Sequence, residues 1–265
     1  ASTFKAFMSL AALEEDVITS STSFSCSGAI RLASHTFRCW RRSGHGSMNV
    51  LTALQHSCDV YFYQVGIRMG IDRILKWAHR FRLGEPTGID LPGESAGIIA
   101  GPDWKRRRFK ENWYQGDTVN YSIGQGYLLM TPLQIARVYA AIANGGRLVT
   151  PHLSSLNDRP PVDMHLTPAK LALVQQGLDY VVQRGTGARA GKFGVTVAGK
   201  TGTAQNAHGD DHALFAGYAP AEAPRYVVVA IVEAGKHGSS VTSPIVGELL
   251  AHMLSHASSE GEKKE

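Results

Sequence analysis

The order of secondary-structure signals constrains this chain most. Helical periodicities come first and strand-forming segments gather late, without strand–helix–strand alternation. Parallel strands need long crossover connections, usually helices, so this order reads as an antiparallel sheet with helices segregated around it, the α+β class. The strand signals cover 195–203, 213–218 and 225–233, separated by short polar turns that make a meander. Helices are marked by a hydroxyl before a proline, which offers an N-cap acceptor and a first-turn residue without an amide proton. Thr131-Pro132, Thr167-Pro168 and Ser243-Pro244 predict helices over 133–142, 170–182 and 245–254, and residues 2–13 and 50–69 carry two more.

At 265 residues with 43% apolar side chains, the chain is long enough to close one sizeable core. Its net charge of +5 is too weak to argue for nucleic acid. The strongest apolar run, at 226–232, has strand length and falls far short of the roughly 18–20 residues of a membrane span. The chain starts at Ala1-Ser2 with neither an initiator nor a signal peptide, and reads as a fragment of something longer.

Three short motifs carry chemistry. Ser2-Thr3-Phe4-Lys5 puts a hydroxyl and an amine on one helix face. A desolvated lysine can act as base there, and a helix N-terminus favours developing negative charge. Lys200-Thr201-Gly202-Thr203 reads as a strand whose glycine admits a ligand to the backbone, whose threonines can bind a carboxylate and whose lysine is a fixed cation. Ser57-Cys58-Asp59, on the helix predicted over 50–69, adds a second hydroxyl and a polar partner. Each motif is common alone, and Ser-x-x-Lys also describes a solvated helix start.

In this order the three resemble the S-x-x-K, S-x-N and K-T-G set of penicillin-binding proteins and serine β-lactamases. Residues 57–65, Thr87-Gly88-Ile89-Asp90-Leu91, Trp113-Tyr114-Gln115-Gly116-Asp117 and Ile123-Gly124-Gln125-Gly126-Tyr127 resemble the class B, elongation-type penicillin-binding protein 2 group, over Ser2 to about Glu233. The resemblance implies a central five-stranded antiparallel sheet flanked by helices, with a transpeptidase domain over 1–257 and a disordered tail over 258–265. It also implies that Ser2 attacks a D-Ala-D-Ala carbonyl, that Lys5 takes its proton, and that the amides of Ser2 and Thr203 form the oxyanion hole. Ser57, hydrogen-bonded to Lys200, would relay a proton to the leaving amine. Thr201, Gly202 and Thr203 would hold the terminal carboxylate, and Tyr114, Gln115 and Asp117 would shape the substrate groove.

Asp59 stands where many relatives carry asparagine, a subtype marker, and no Glu-x-x-Leu-Asn loop is present to deacylate a β-lactam. The implied partners are peptidoglycan stem peptides, β-lactams and a SEDS-family, RodA-like glycan polymerase. The last is reached through a full-length protein held at the extracytoplasmic face of a bacterial membrane by an N-terminal segment absent here. No catalytic cofactor is implied. The competing readings are a serine β-lactamase and a β-lactam sensor domain.

The three cysteines and one histidine follow the spacing Cys26-x12-Cys39-x5-His45-x12-Cys58. Three thiolates and an imidazole make a closed tetrahedral zinc set, which would staple the turn-rich stretch 20–46. Some elongation-type members resemble this in holding zinc near the second motif with two aspartates, a histidine and a cysteine; cysteines here replace both aspartates. The alternative is a Cys26–Cys39 disulfide with Cys58 as a small buried apolar residue. The run Lys105-Arg106-Arg107-Arg108-Phe109-Lys110 reads as a solvated loop.

Overall fold

The structure, a computed structural model, describes residues 1–206 and 208–261, with side chains described to residue 256. Helix α1 (Phe4–Glu14) is buried at every position from Phe4 to Leu13. A helix apolar on all sides must be surrounded, and α1 is the centre of the main core. Its two buried polar residues, Lys5 and Ser9, therefore need internal partners. Ser9 Oγ donates to the Lys5 carbonyl at 2.9 Å, and Lys5 turns to the site described below.

The helix expected over 50–69 is in fact two. Helix α2 (Val50–Gln55) is capped by Asn49, whose side chain accepts from the Thr52 amide at 3.0 Å. Helix α3 (Asp59–Arg80) follows and bends at Gly70, where φ is 69°. Between them Ser57 takes a left-handed conformation, φ 52°. Such a residue costs roughly 1–2 kcal/mol, and a serine gives no warning of it in the sequence.

Between α1 and α2 lie two small ribbons: β1 (Phe24–Cys26) pairs with β4 (Gly46–Met48), and β2 (Ala29–Leu32) with β3 (His35–Arg38). The basic run forms helix α4 (Pro102–Phe109), with Pro102 opening it, where a solvated loop is expected. The reason is Lys105, 3% exposed at its side chain, which turns inward to Asp117 at 2.7 Å and anchors the helix. Helix α5 (Gln115–Ser122) follows, and β5 (Ile98–Ile99) pairs with β6 (Leu128–Leu129).

Thr131 caps α6 (Pro132–Ala143) as expected: its hydroxyl accepts from the Gln134 amide at 3.1 Å. Strand β7 (Arg147–Leu148) pairs with β8 (Val162–Asp163). Helix α7 (Pro168–Arg184) lacks the expected side-chain cap, because the Thr167 hydroxyl donates to Glu14 at 3.0 Å instead. Helix α8 (Thr242–Gly261) starts one residue before Ser243, whose hydroxyl is buried inside the first turn. The helix also enters the tail expected to be disordered from 258; residues 262–265 lie outside the described residues.

The main sheet runs β9 (Ala198–Ala204), β10 (His212–Ala219), β11 (Tyr226–Val232), antiparallel, with β10 in the middle. Among the described residues it has three strands, not the five expected. Only these segments are long enough and apolar enough to build a central sheet; the other strand segments are two to four residues long and pair locally. Alternate residues of β10 serve two cores, as the two-residue repeat of a strand requires. Leu214, Ala216 and Tyr218 face the helical core around α1, while Phe215 and Ala219 pack with Val246 and Leu250 of α8. This leaves β9 as an edge strand beside the start of α1.

Candidate active site

The first turn before α1 carries Ser2. Its carbonyl accepts from the Lys5 amide at 3.1 Å, and the Ala1 carbonyl accepts from the Phe4 amide at 2.9 Å. From α6, the buried Tyr139 hydroxyl donates to the Thr3 carbonyl at 2.9 Å and pins the turn.

One turn on, Lys5 is fully buried. Its ammonium donates to Asp59 Oδ1 at 2.6 Å, to the Ser57 carbonyl at 2.9 Å and to Ser57 Oγ at 3.3 Å. A lysine has three donors, and all three point into the second motif. The left-handed Ser57 makes this possible by turning its own carbonyl and the start of α3 toward α1. The other oxygen of Asp59 accepts from the Trp40 amide at 2.9 Å, so this carboxylate ties α1 to the segment after β3.

The third motif lies on β9. Gly202 lets the strand close on the Ser2 turn, since a Cβ there would meet Ala1 Cβ and Thr3 Cγ2 at 3.2 Å each. Lys200 is fully buried and donates to the Thr201 carbonyl at 3.2 Å and hydroxyl at 3.3 Å. Burial, and then the charge of Lys5, holds the Lys200 amine well below its ordinary range. The environment therefore favours a neutral amine, where the sequence suggests a fixed cation. The expected Ser57–Lys200 hydrogen bond is also replaced. Among the described residues Ser57 Oγ has Lys5 as its lysine partner, and Lys200 turns along its own strand to Thr201.

Of the expected groove residues, Tyr114 is 60% exposed and its ring lies 4.8 Å from the Lys105 ammonium. Gln115 is exposed. Asp117 has structural duties, accepting from the Tyr114 amide at 2.8 Å and from Lys105 at 2.7 Å. Three residues to which the sequence assigns no role join the site, one of them, Gln125, within a segment that carries the resemblance. Thr186, between Gly185 and Gly187, shares a 2.7 Å hydrogen bond with the Thr201 hydroxyl. Gln125, between Gly124 and Gly126, donates to the Thr203 carbonyl at 3.3 Å. Tyr139 pins Thr3 as described. A polar residue between two glycines is the signal that marks the first two; nothing local marks Tyr139.

The cysteines and His45 converge beside the second motif. One ligand atom from each of Cys26, Cys39, His45 and Cys58 lies within 4.8 Å of all the others. His45 Nδ1 stands 3.6 Å from Cys26 Sγ and 3.5 Å from Cys39 Sγ. All three cysteines are free and buried. The Cys58 thiol hydrogen-bonds to Cys39, which holds the Cys39 thiol well below its ordinary range and pushes that of Cys58 up. A groove of about 470 Å³ along α7, with Asp179 and Glu222 in its lining, is lined by none of these residues.

A fully buried lysine one turn after a serine, a hydroxyl and carboxylate on it, and a Lys-Thr-Gly edge strand against the serine's turn bring together the three motifs of the sequence. The family model of the penicillin binding protein transpeptidase domain matches residues 1–251, and the chain belongs to that family. Within it, the chain is similar to the peptidoglycan D,D-transpeptidase MrdA of Haemophilus influenzae, 37% identical over 99% of this chain and 45% of that protein. It is 36% identical to MrdA of Escherichia coli K12, over 97% of this chain and 44% of that one. The chain thus spans less than half the length of these relatives. Among solved structures, PBP2 of Helicobacter pylori in complex with MreC has a TM-score of 0.90 at 35% identity, covering 97% of this chain and 49% of that one. Pseudomonas aeruginosa PBP2 in complex with WCK 5153 also has a TM-score of 0.90, at 36% identity, covering 96% and 60%.

Proposed function

We propose that this chain is the catalytic domain of a peptidoglycan D,D-transpeptidase acting through an acyl-enzyme on Ser2. The observation that carries the reading is the convergence of Ser57 and Asp59 within 3.3 Å of the Lys5 ammonium, one helical turn from Ser2. Ser2 Oγ attacks the carbonyl of the penultimate D-alanine while Lys5, as the neutral amine that remains once its resting ion pair with Asp59 has lost a proton, takes the hydroxyl proton. The ammonium so formed is stabilised by Asp59 at 2.6 Å. The oxyanion is received by the backbone amides of Ser2 and Thr203. The proton then travels through Ser57 Oγ, 3.3 Å from Lys5 Nζ, to the departing D-alanine amine as the C–N bond breaks. An amine of a second stem attacks the ester, loses a proton to Lys5 and releases Ser2 as the cross-link forms. Thr201 and Thr203, with Gly202 giving backbone access, hold the donor carboxylate, while Tyr114 and Gln115 line the approach.

The four sulfur and nitrogen ligands fit zinc. At tetrahedral angles, ligands about 2.3 Å (sulfur) and 2.0–2.1 Å (nitrogen) from the metal stand about 3.6–3.8 Å apart, and the S–N separations here are 3.5 and 3.6 Å. Free thiols suit a metal and not a Cys26–Cys39 bridge. Cys26, Cys39, His45 and Cys58 would hold the ion, which would supply structural cross-linking between the β1–β4 ribbon and the start of α3 and no chemistry at Ser2.

The domain is proposed to work outside the cytoplasmic membrane, within a longer anchored protein partnered by a RodA-like polymerase. No helix among the described residues is long and apolar enough to cross a membrane. The Helicobacter PBP2–MreC complex and a peptidoglycan synthase complex are the corresponding assemblies of similar proteins. The test is release of D-alanine from a stem pentapeptide with formation of the cross-linked product. Wild type is expected to give both and Ser2→Ala neither; product from Ser2→Ala would refute the assignment.

A further inference from the structure

The loop Ile123-Gly124-Gln125-Gly126-Tyr127 touches both sides of the gap in which the carbonyl of a substrate would be polarised. On one side Gly124, φ 75°, lies against Ala1, the residue before the nucleophile. The Ala1 nitrogen donates to the Gly124 carbonyl, and a Cβ on Gly124 would meet the Ala1 carbonyl oxygen at 2.2 Å, so no other residue fits. On the other side Gln125 Nε2 donates to the Thr203 carbonyl at 3.3 Å.

This second contact has a geometric consequence. In an extended strand the amide and carbonyl of one residue point to the same side. Among the described residues strand β9 pairs only with β10, leaving its other edge open. Because Gln125 reaches the Thr203 carbonyl from that open edge, the Thr203 amide faces the same way, toward the nucleophile turn. The loop therefore grips the two residues, Ala1 and Thr203, that carry or adjoin the two amides assigned to the oxyanion hole.

The grip is stiff. The Ile123 and Gln125 amides both donate to the Asn120 carbonyl, at 3.3 and 3.0 Å, and the Gly124 amide to the Tyr121 carbonyl at 2.9 Å, fusing the loop to the end of α5. Tyr121 packs edge-on against Phe4 of α1, with ring centroids 6.1 Å apart.

We propose that Gln125 is a positioning residue of the acyl-transfer step, setting through its hydrogen bond to Thr203 and the Gly124–Ala1 contact the spacing of the two oxyanion-hole amides. This rests on the Ser2 reading above. A donor displaced by a fraction of an ångström binds the ground-state carbonyl almost as well but the developing oxyanion poorly, so the effect belongs to the bond-forming step and not to initial binding.

The experiment is stopped-flow acylation by a chromogenic or fluorescent penicillin over a range of concentrations, which separates the initial dissociation constant from the acylation rate constant. It compares wild type with Gln125→Ala and with Gln125→Met, which keeps the bulk and removes the donor. The expected result is an acylation rate constant lower by on the order of tenfold to a hundredfold. The dissociation constant changes less than about twofold, and melting temperatures stay within about 2–4 °C of wild type, as expected for loss of one partly exposed hydrogen bond. Unchanged or faster acylation in both variants overturns the proposal, as does a loss that only tracks the unfolded fraction. Wild type that forms no adduct refutes the Ser2 reading itself, whereas a reactive wild type beside equally reactive variants refutes the role of Gln125 alone.

Discussion

Replacing Asp59 by alanine tests how the first two motifs are held together. The Lys5 side chain is 0% exposed and that of Asp59 12%, with 2.6 Å between the charges. At that burial solvent screening removes little of the interaction. Truncation would leave the Lys5 ammonium with only the neutral Ser57 carbonyl and hydroxyl, and would deprive the Trp40 amide of its acceptor. Removing one partner of a buried ion pair costs about 3–5 kcal/mol, because the remaining charge stays desolvated. For a chain of this size about 1 kcal/mol shifts the melting temperature by roughly 2–4 °C, so Asp59→Ala should melt roughly 6–20 °C below wild type. Asp59→Asn keeps the acceptor oxygen and the shape and should lose less than half as much. Circular-dichroism melts at neutral pH, repeated in high salt, provide the measurement, and the gap between the two variants should persist in salt. Asp59→Ala melting within about 2 °C of wild type would refute the argument that this pair binds α1 to α3.

Lys200→Met should abolish acylation yet raise the melting temperature at neutral pH, because it removes a buried group whose folded-state pKa lies well below its ordinary value. The unfolded chain binds a proton that the folded state resists, so wild-type stability should rise as pH climbs toward about 10.4, and a melt series in which Lys200→Met shows the same slope would contradict this. Glu15 is held below its ordinary value by hydrogen bonds from Lys76 and Trp77. Its stabilisation is complete above about pH 4.3 and lost as pH falls through the folded-state value, so Glu15→Gln should flatten the acid limb of stability, by about 1 kcal/mol or less for so exposed a pair. Elemental analysis should find one zinc per chain, chelation should lower the melting temperature, and His45→Ala should abolish that response; metal-free protein with unchanged melting would remove the zinc assignment.

The parts of this fold that follow from short-range chemistry are legible in the sequence. Thr131-Pro132 marks the capped start of α6, and the apolar segment 213–218 marks the strand β10, although its division between two cores shows only in the fold. The three motifs are legible because each needs particular residue types at fixed spacing. What is not legible acts through backbone atoms or across long separations. The break at Ser57 depends on a left-handed serine, and the Thr167 cap is lost to Glu14, 153 residues away. The hydroxyl of Tyr139 finds a carbonyl 136 residues away, and Lys200 hydrogen-bonds to its neighbour Thr201 while Ser57 pairs with Lys5. The cysteine and histidine count suggests a metal, but only the folded β1–β4 ribbon brings all four ligands within 4.8 Å.

Whether the Ser2 hydroxyl is the nucleophile is decided by intact-mass spectrometry of the purified protein after exposure to benzylpenicillin. A single covalent adduct, stable for the duration of the experiment and mapped by proteolysis to the peptide containing Ser2, is the predicted result. An unmodified mass, or an adduct that persists in Ser2→Ala, would contradict that role.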